Sequence, residues 1–321
     1  MNVDLCKLSE INTSSKSCAD DAFVLFASPE HRCLGVVKRF GNYSASRSIV
    51  LHITDEENAE RENNREAIRG ILEQVSDCVD QPMRHDDPIC GVTELAGLIQ
   101  EAQTPDGWVT IDISTFPRNS LLLTLRAIDT LQPRPNVRLL YTEPGDYIPA
   151  ISRPISSGLC QIGSVPTFSA PYTADQELVL VVFLGFERDR VLGLWQSIGP
   201  HKTIAVIGDP PYRPEWRGVS ERINAALLAG VPEGSIFRVD PLNPLATYGF
   251  IRQVIGESPA RGRDNFYLAP LGTKPQVVGV YLYTRAFPRH ATVVYASPLA
   301  RDQEYITKGL GATWRLPYPQ V

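Results

Sequence analysis

Laid over itself at a shift of 154 to 158 positions, the chain brings like segments into register at several separate places. A repeat of that length decides the architecture before any short motif does. Residues 23–35 lie over 181–193, each an apolar run turning into a helix-period segment, and 49–55 lie over 203–209, both runs ending in an Asp. The next helices, 61–72 and 217–228, superpose as well. Residues 109–121 lie over 265–277, which sets Arg118 over Lys274, a basic residue opening each helix. Last, 137–144 matches 292–298, with Tyr141 over Tyr295 and Pro144 over Pro298.

Short continuous apolar runs rich in Val and Ile are the mark of strands buried on both faces, and here they alternate with helix-length amphipathic segments. That alternation predicts a parallel sheet. The fold class is α/β: two tandem Rossmann-like, doubly wound parallel-sheet units. In the second unit the strands are predicted at 179–184, 203–207, 235–239, 265–269 and 291–296, with helices at 187–198, 215–229, 245–256 and 274–286. The first unit repeats this, its third strand lying between Val75 and Ile89. The expected domains are 1–147, a Pro/Ser/Gly-rich linker or hairpin excursion over 148–177, and 178–321. A chain of 321 residues with 43% hydrophobic and 21% charged residues has the length and composition for two such units.

In an open parallel sheet ligands bind beyond the carboxyl ends of the strands, where strand order reverses. With the order 3-2-1-4-5, the first and fourth strands flank that crevice. In the second unit the loops to read are 185–189 and 269–275, with 208–217 as a flap beside them. Gly272, Thr273 and Lys274, followed by Pro275, join a close-approach glycine, a capping hydroxyl and a proline suited to the first helical turn. Such a helix start offers free N–H groups and the positive dipole end to an anion, and Lys274 adds a full charge. The plain alternative is that Thr273 and Pro275 only cap the helix while Lys274 sits in water.

Glu187, Arg188 and Arg190 follow the first strand, where an Arg can pair with a ligand phosphate or merely decorate a solvated helix start. Asp209, Tyr212, Arg213, Trp216 and Arg217 combine an acid, two rings and two guanidinium groups, a set able to stack on and hydrogen-bond a purine. Proline-rigid loops also carry such residues simply to close over a sheet edge. In the first unit the corresponding candidates are Asp112, Ser114, Arg118, Asn119 and Ser120, with Arg118 foremost.

Other chemistries lack their anchor. There is no GxGxxG after a strand, no Walker GxxxxGK[ST], no HExxH and no GxSxG. The five His are scattered without ligand spacing, so no metal and no cofactor is expected. Two R-x4-H strings, Arg47 to His52 and Arg285 to His290, resemble the ribonuclease motif of HEPN domains, but that motif needs one helix. The first string runs along a predicted strand and the second crosses a Pro-containing helix exit. Net charge is −5 with no basic block, which argues against duplex DNA as a partner. Of the 31 basic residues only six are Lys, a bias that fits planar recognition of phosphate and carboxylate or simply genome composition.

The six Cys fall in the first half without CxxC pairs and read as buried thiols of a reducing compartment. With no secretory layout at the N-terminus and no apolar run near 20 residues, a soluble cytoplasmic protein without membrane contact is expected.

A Rossmann-like unit with Gly272-Thr273-Lys274 opening the helix after its fourth strand resembles the CARF family of CRISPR-associated sensor domains. The resemblance covers about 177–298 and, more faintly, the first unit. It implies binding of cyclic oligoadenylates across two such domains, here fused in one chain, with slow cleavage of the ligand in some members. By that resemblance Thr273 and Lys274 hold phosphate or ribose and Arg118 is their counterpart. The first unit has Thr115-Phe-Pro-Arg118 in place of Gly-Thr-Lys, so a symmetric ring would meet two different walls. The family's usual nuclease or winged-helix effector has no stretch left for it here, which makes the effector an expected partner.

Three functions therefore stand: a sensor of a nucleotide or cyclic oligonucleotide in defence or regulation, an enzyme cleaving a phosphodiester or N-glycosidic bond, and an interaction subunit. In the second, Lys274 and Arg118 would stabilise developing negative charge, with Glu187, Asp209 or Asp112 as acid or base. The oligomeric state is left open.

Overall fold

The computed structural model describes residues 20–39, 43–146, 156–256, 264–301 and 307–319; of 156–161 and 298–301 only the backbone is described. The chain divides into two units, Met1–Ile148 together with Ile306–Val321, and Pro149–Tyr305. Each is a Rossmann-like α/β unit built on a six-stranded sheet.

In the first unit β1 (Asp20–Phe26), β2 (Ala45–Ile53), β3 (Asp77–Met83), β4 (Trp108–Asp112) and β5 (Asn136–Asp146) run parallel in the order β3-β2-β1-β4-β5. In the second, β7 (Glu177–Leu184), β8 (Lys202–Gly208), β9 (Ile236–Val239), β10 (Asp264–Pro270) and β11 (Thr292–Arg301) repeat that order. Crossover helices supply the covering layers. Every residue of β1, and all of β7 but its first, is buried, as central parallel strands require.

Helix starts are set locally. Asn58, Asp87 and Asn243 accept a backbone N–H from the first turns of the Ala59–Leu72, Pro88–Ala102 and Pro244–Ile255 helices.

A sixth strand completes each sheet, and here the structure departs from the expected domain limits. β6 (Ser156–Ser164), inside the stretch read as linker, pairs antiparallel with β11 of the second unit. β12 (Lys308–Leu316), expected to belong with 178–321, pairs antiparallel with β5 of the first. Each fifth strand is thus covered by the strand that follows the other fifth strand in sequence. The cause is pairing across long sequence distances, which local patterning does not encode. Thr142 and Thr313 share a hydrogen bond at 2.8 Å, and Trp314 Nε1 donates to Glu143 at 2.7 Å.

Two helices also differ from expectation. After β1 the described residues make two 3-10 turns, His31–Leu34 and Val37–Arg39, where the backbone at Gly35 passes against β5: a Cβ there would lie 2.5 Å from Thr142 Cγ2. The helix expected over 215–229 is broken into Pro214–Trp216, Val219–Ile223 and Ala225–Leu228. The last break falls at Asn224, whose amide leaves the helix to bond the Gly185 carbonyl at 2.9 Å.

Of the cysteines, Cys33 is buried and its thiol is pushed up to about 12 by that burial, whereas Cys78 is half-buried and Cys90 exposed. Cys90 lies off the apolar stripe of its helix, Val92, Leu95 and Ile99. Cys6, Cys18 and the side chain of Cys160 lie outside the described residues. Among the described residues no helix is long and apolar enough to cross a membrane.

The Pro244–Ile255 and Lys274–Ala286 helices meet at Gly279, where a Cβ would stand 2.4 Å from Thr247 Cβ and 2.6 Å from the Pro244 carbonyl oxygen. Thr247 is fully buried and has nowhere to retreat. Gly279→Ala is expected to cost about 1–3 kcal/mol by overpacking, despite alanine's higher helix propensity, as a fall in the chemical-denaturation midpoint.

Candidate functional site

In both sheets the order 3-2-1-4-5 leaves a crevice where the central strand meets the fourth, at β1/β4 and β7/β10. In the second unit the tips of β7 and β10 come close: a Cβ at Gly185 would lie 2.6 Å from the Leu271 carbonyl oxygen. Glycine is needed there for the approach itself. Beyond them the Lys274–Ala286 helix begins with Thr273 as N-cap and a complete capping box. Gln276 Oε1 accepts the Thr273 N–H at 2.9 Å, and Gly272 leaves room for that amide, since a Cβ at 272 would meet Gln276 Oε1 at 2.1 Å.

Thr273 is already engaged. Its hydroxyl donates to the Pro241 carbonyl at 2.5 Å and accepts the Gln276 N–H at 3.4 Å. Tyr212 donates to the same Pro241 carbonyl at 3.2 Å, so the flap after β8, the turn after β9 and the Gly272–Thr273 turn converge on one oxygen. Asp209 is half-buried at the β8 tip. Within the flap, Arg213 lies over the Trp216 ring at 5.5 Å and pairs with Glu215 at 3.7 Å, and Arg217 is exposed. Lys274, the first residue of its helix, is half-buried.

Glu187 and Arg190 form a buried ion pair, and Arg190 Nε also donates to the Ala296 carbonyl at 2.8 Å while the guanidinium lies over the Tyr295 ring at 5.0 Å. This arginine ties the first helical turn to β11. Arg188 points away, exposed and paired with Asp189 at 3.1 Å.

In the first unit Arg118 opens the Arg118–Thr130 helix, as Lys274 does its own, and is likewise half-buried. The helix has Pro117 as N-cap and no side-chain cap; Asn119 Oδ1 accepts the Ser120 N–H at 2.9 Å. At the tip of β4, Asp112 is buried. Its Oδ1 accepts both the Ser114 N–H, at 3.0 Å, and the Ser114 hydroxyl, while Ser114 Oγ takes the Thr142 N–H at 2.7 Å. Burial raises the Asp112 carboxyl to about 7, against the pull of the Ser114 bonds and of the Arg32 charge.

Three residues of these crevices were not singled out from sequence. Arg32 is buried and fixed on Glu30 at 2.6 Å. Since it lies under Arg190 when residues 23–35 are laid over 181–193, the repeat itself carried that signal. Gln276 and Asn224 are fully buried, and Gln276 Nε2 and Asn224 Oδ1 have no hydrogen-bond partner among the described residues; an amide facing inward leaves no pattern in a single sequence. Among the described residues no group of three or more His, Cys, Asp and Glu is placed to hold a metal ion. The two R-x4-H strings do not form a helical pair: Arg47 and His52 lie on β2, and His290 lies beyond the helix that carries Arg285.

No protein-family model and no curated protein sequence matches this chain. Among solved structures, one described as a type III CRISPR defence DNA nuclease activated by cyclic oligoadenylate matches at a TM-score of 0.51, with 10% sequence identity, over 91% of this chain and 67% of that one. The two share a fold. UDP-GlcNAc 2-epimerase from Neisseria meningitidis, bound to UDP-GlcNAc, aligns over 82% of this chain and 90% of its own at 10% identity, but its TM-score of 0.24 is too low to carry weight.

Proposed function

We propose that this chain is a sensor that binds an anionic nucleotide, a cyclic oligonucleotide in particular, at the strand-end crevices of its units and reports it to an effector protein. The observation that carries the reading is the pair of cationic helix starts, Arg118 and Lys274, each the first residue of the helix that follows a unit's fourth strand. A helix start with an added full charge is a ready anion site. The fold shared with a nuclease activated by cyclic oligoadenylate supports the choice of ligand, and the Gly272-Thr273-Lys274 turn supports it independently. The common strand order and the matching Arg32 and Arg190 support descent of both units from one duplicated ancestor.

Calorimetric titration with cyclic oligoadenylates of several ring sizes and with mononucleotides tests this. Wild-type protein is expected to bind at least one of them. Lys274→Ala and Arg118→Ala are each expected to weaken binding about 10- to 100-fold, the effect of losing a charge-assisted contact to phosphate. No heat with any nucleotide overturns the reading.

One observation favours an enzyme instead: the Asp112 carboxyl, raised to about 7, has the value of a general acid or base working at neutral pH. Chromatography of labelled cyclic oligoadenylate after incubation separates the two, since a sensor returns its ligand intact.

A further inference from the structure

At the amino ends of β10 and β11, the end of the sheet away from the crevice, the second unit holds an open cavity of about 160 Å³ that the nucleotide reading does not use. That is close to the size of an engineered cavity, about 150 Å³, that takes up benzene. Its walls are fixed. The buried Asn265 side chain accepts the Thr173 N–H at 2.8 Å and donates to the Thr173 and Gln176 carbonyls at 2.8 and 3.2 Å, while the Thr292 hydroxyl accepts the Ala170 N–H at 2.9 Å. Those bonds pin the 170–176 loop, and so one wall, to the sheet. Elsewhere in the lining His290 stacks on Phe287 with ring centroids 5.2 Å apart, and its Nδ1 lies 3.5 Å from the Tyr283 hydroxyl.

Within these walls two kinds of group are unspent. Tyr172, 58% exposed, lines the cavity together with the half-buried rings of Phe266 and Tyr267. Asp264 and Arg289 line it too, yet among the described residues neither makes an ion pair or hydrogen bond, with the other or with any third residue. Other exposed arginines of this unit do find acids, Arg188 on Asp189 at 3.1 Å and Arg213 on Glu215 at 3.7 Å. Lys202, which feels the Asp264 charge, is already paired with Glu177 at 2.5 Å. A carboxylate and a guanidinium therefore share one cavity without meeting.

Those two charges select the occupant. A phosphate or a nucleotide is repelled by Asp264, and an amine or a metal ion by Arg289. A neutral ring leaves both charges unanswered. A small zwitterion answers both: its ammonium faces a carboxylate among ring faces, its carboxylate takes the paired bonds of a guanidinium, and the remainder fills a ring-sized space. We infer that this cavity binds a free α-amino acid, with Asp264 as partner of the ammonium, Arg289 as partner of the carboxylate and Tyr172 covering the side chain. The site stands apart from the crevice and does not depend on nucleotide binding there.

Calorimetry of the full-length protein with a panel of free proteinogenic L-amino acids tests this. At least one is expected to bind with a dissociation constant of about 1 mM or tighter. Its N-acetyl and carboxamide forms, each lacking one charge, should bind about tenfold or more weakly, the loss of a hydrogen bond between charged groups. That comparison needs no variant. Arg289→Ala and Asp264→Asn should each weaken the free amino acid by a similar factor, and Tyr172→Ala by about two- to fivefold, the worth of a ring face to an exposed cation.

No heat with any free amino acid overturns the inference. So does equal binding of the N-acetyl or carboxamide form, or full affinity in both charge variants. Inorganic phosphate and adenosine monophosphate are the competing probes: binding of either that Asp264→Asn strengthens would make the cavity an anion site instead.

Discussion

A chain ended at Tyr305 is expected to lose the fold of its first unit. That truncation removes β12, and with it the antiparallel cover of β5 from Asp146 to Leu139. It also removes the buried Leu316 and Tyr318 side chains, the Thr313 contact to Thr142 and the Thr307 contact to Glu30 at 2.7 Å. Arg39, which donates to the Gly311 carbonyl at 2.8 Å, loses that partner as well. The sum is on the order of 5 kcal/mol or more, comparable with the whole stability of a typical domain. β5 would also present a row of unpaired backbone groups, an invitation to edge-to-edge association. Calorimetric unfolding should lose one transition, and light scattering should rise at temperatures where the full chain stays clear. A truncated chain that melts like the full one would show that β12 is dispensable.

The second large effect is expected at Arg190. Replacing it with Met keeps the bulk but leaves Glu187 buried without its counter-charge and the Ala296 carbonyl without its donor. Removing one partner of a buried pair costs about 3–5 kcal/mol. In a unit of this size that is on the order of ten degrees in unfolding temperature. The double variant Glu187→Gln/Arg190→Met should recover much of the loss, because it no longer strands a charge. An Arg190→Met protein of unchanged melting temperature but abolished nucleotide binding would reverse the assignment and make Arg190 a ligand contact.

How much of this was legible beforehand varies with the reach of the interaction. The strand read at 203–207 is Lys202–Gly208, and the helix read at 274–286 is Lys274–Ala286. Both announce themselves by period and by local caps. β3 resisted because it is an edge strand carrying Asp77, Asp80, Gln81 and Pro82, with only Gln81 and Met83 buried. β6 and β12 were missed for another reason: each pairs with a strand more than 100 residues away, and no local period records that. At the sites, the cationic helix starts were legible, whereas the commitment of Thr273 to Pro241 and of Arg190 to Ala296 depended on carbonyls brought in from other loops.

The crossed closing strands also set a timetable for synthesis. Thr142 waits for a partner 171 residues downstream, which a ribosome adding 5–20 residues per second supplies about 10 to 35 seconds later. During that interval the nascent first half carries an unfinished margin, while the second half already has β6 behind it and can seal itself as its own last parallel strand emerges. The half translated first is therefore expected to finish last, and a chaperone engaging this protein on the ribosome would find its client at the amino-terminal end.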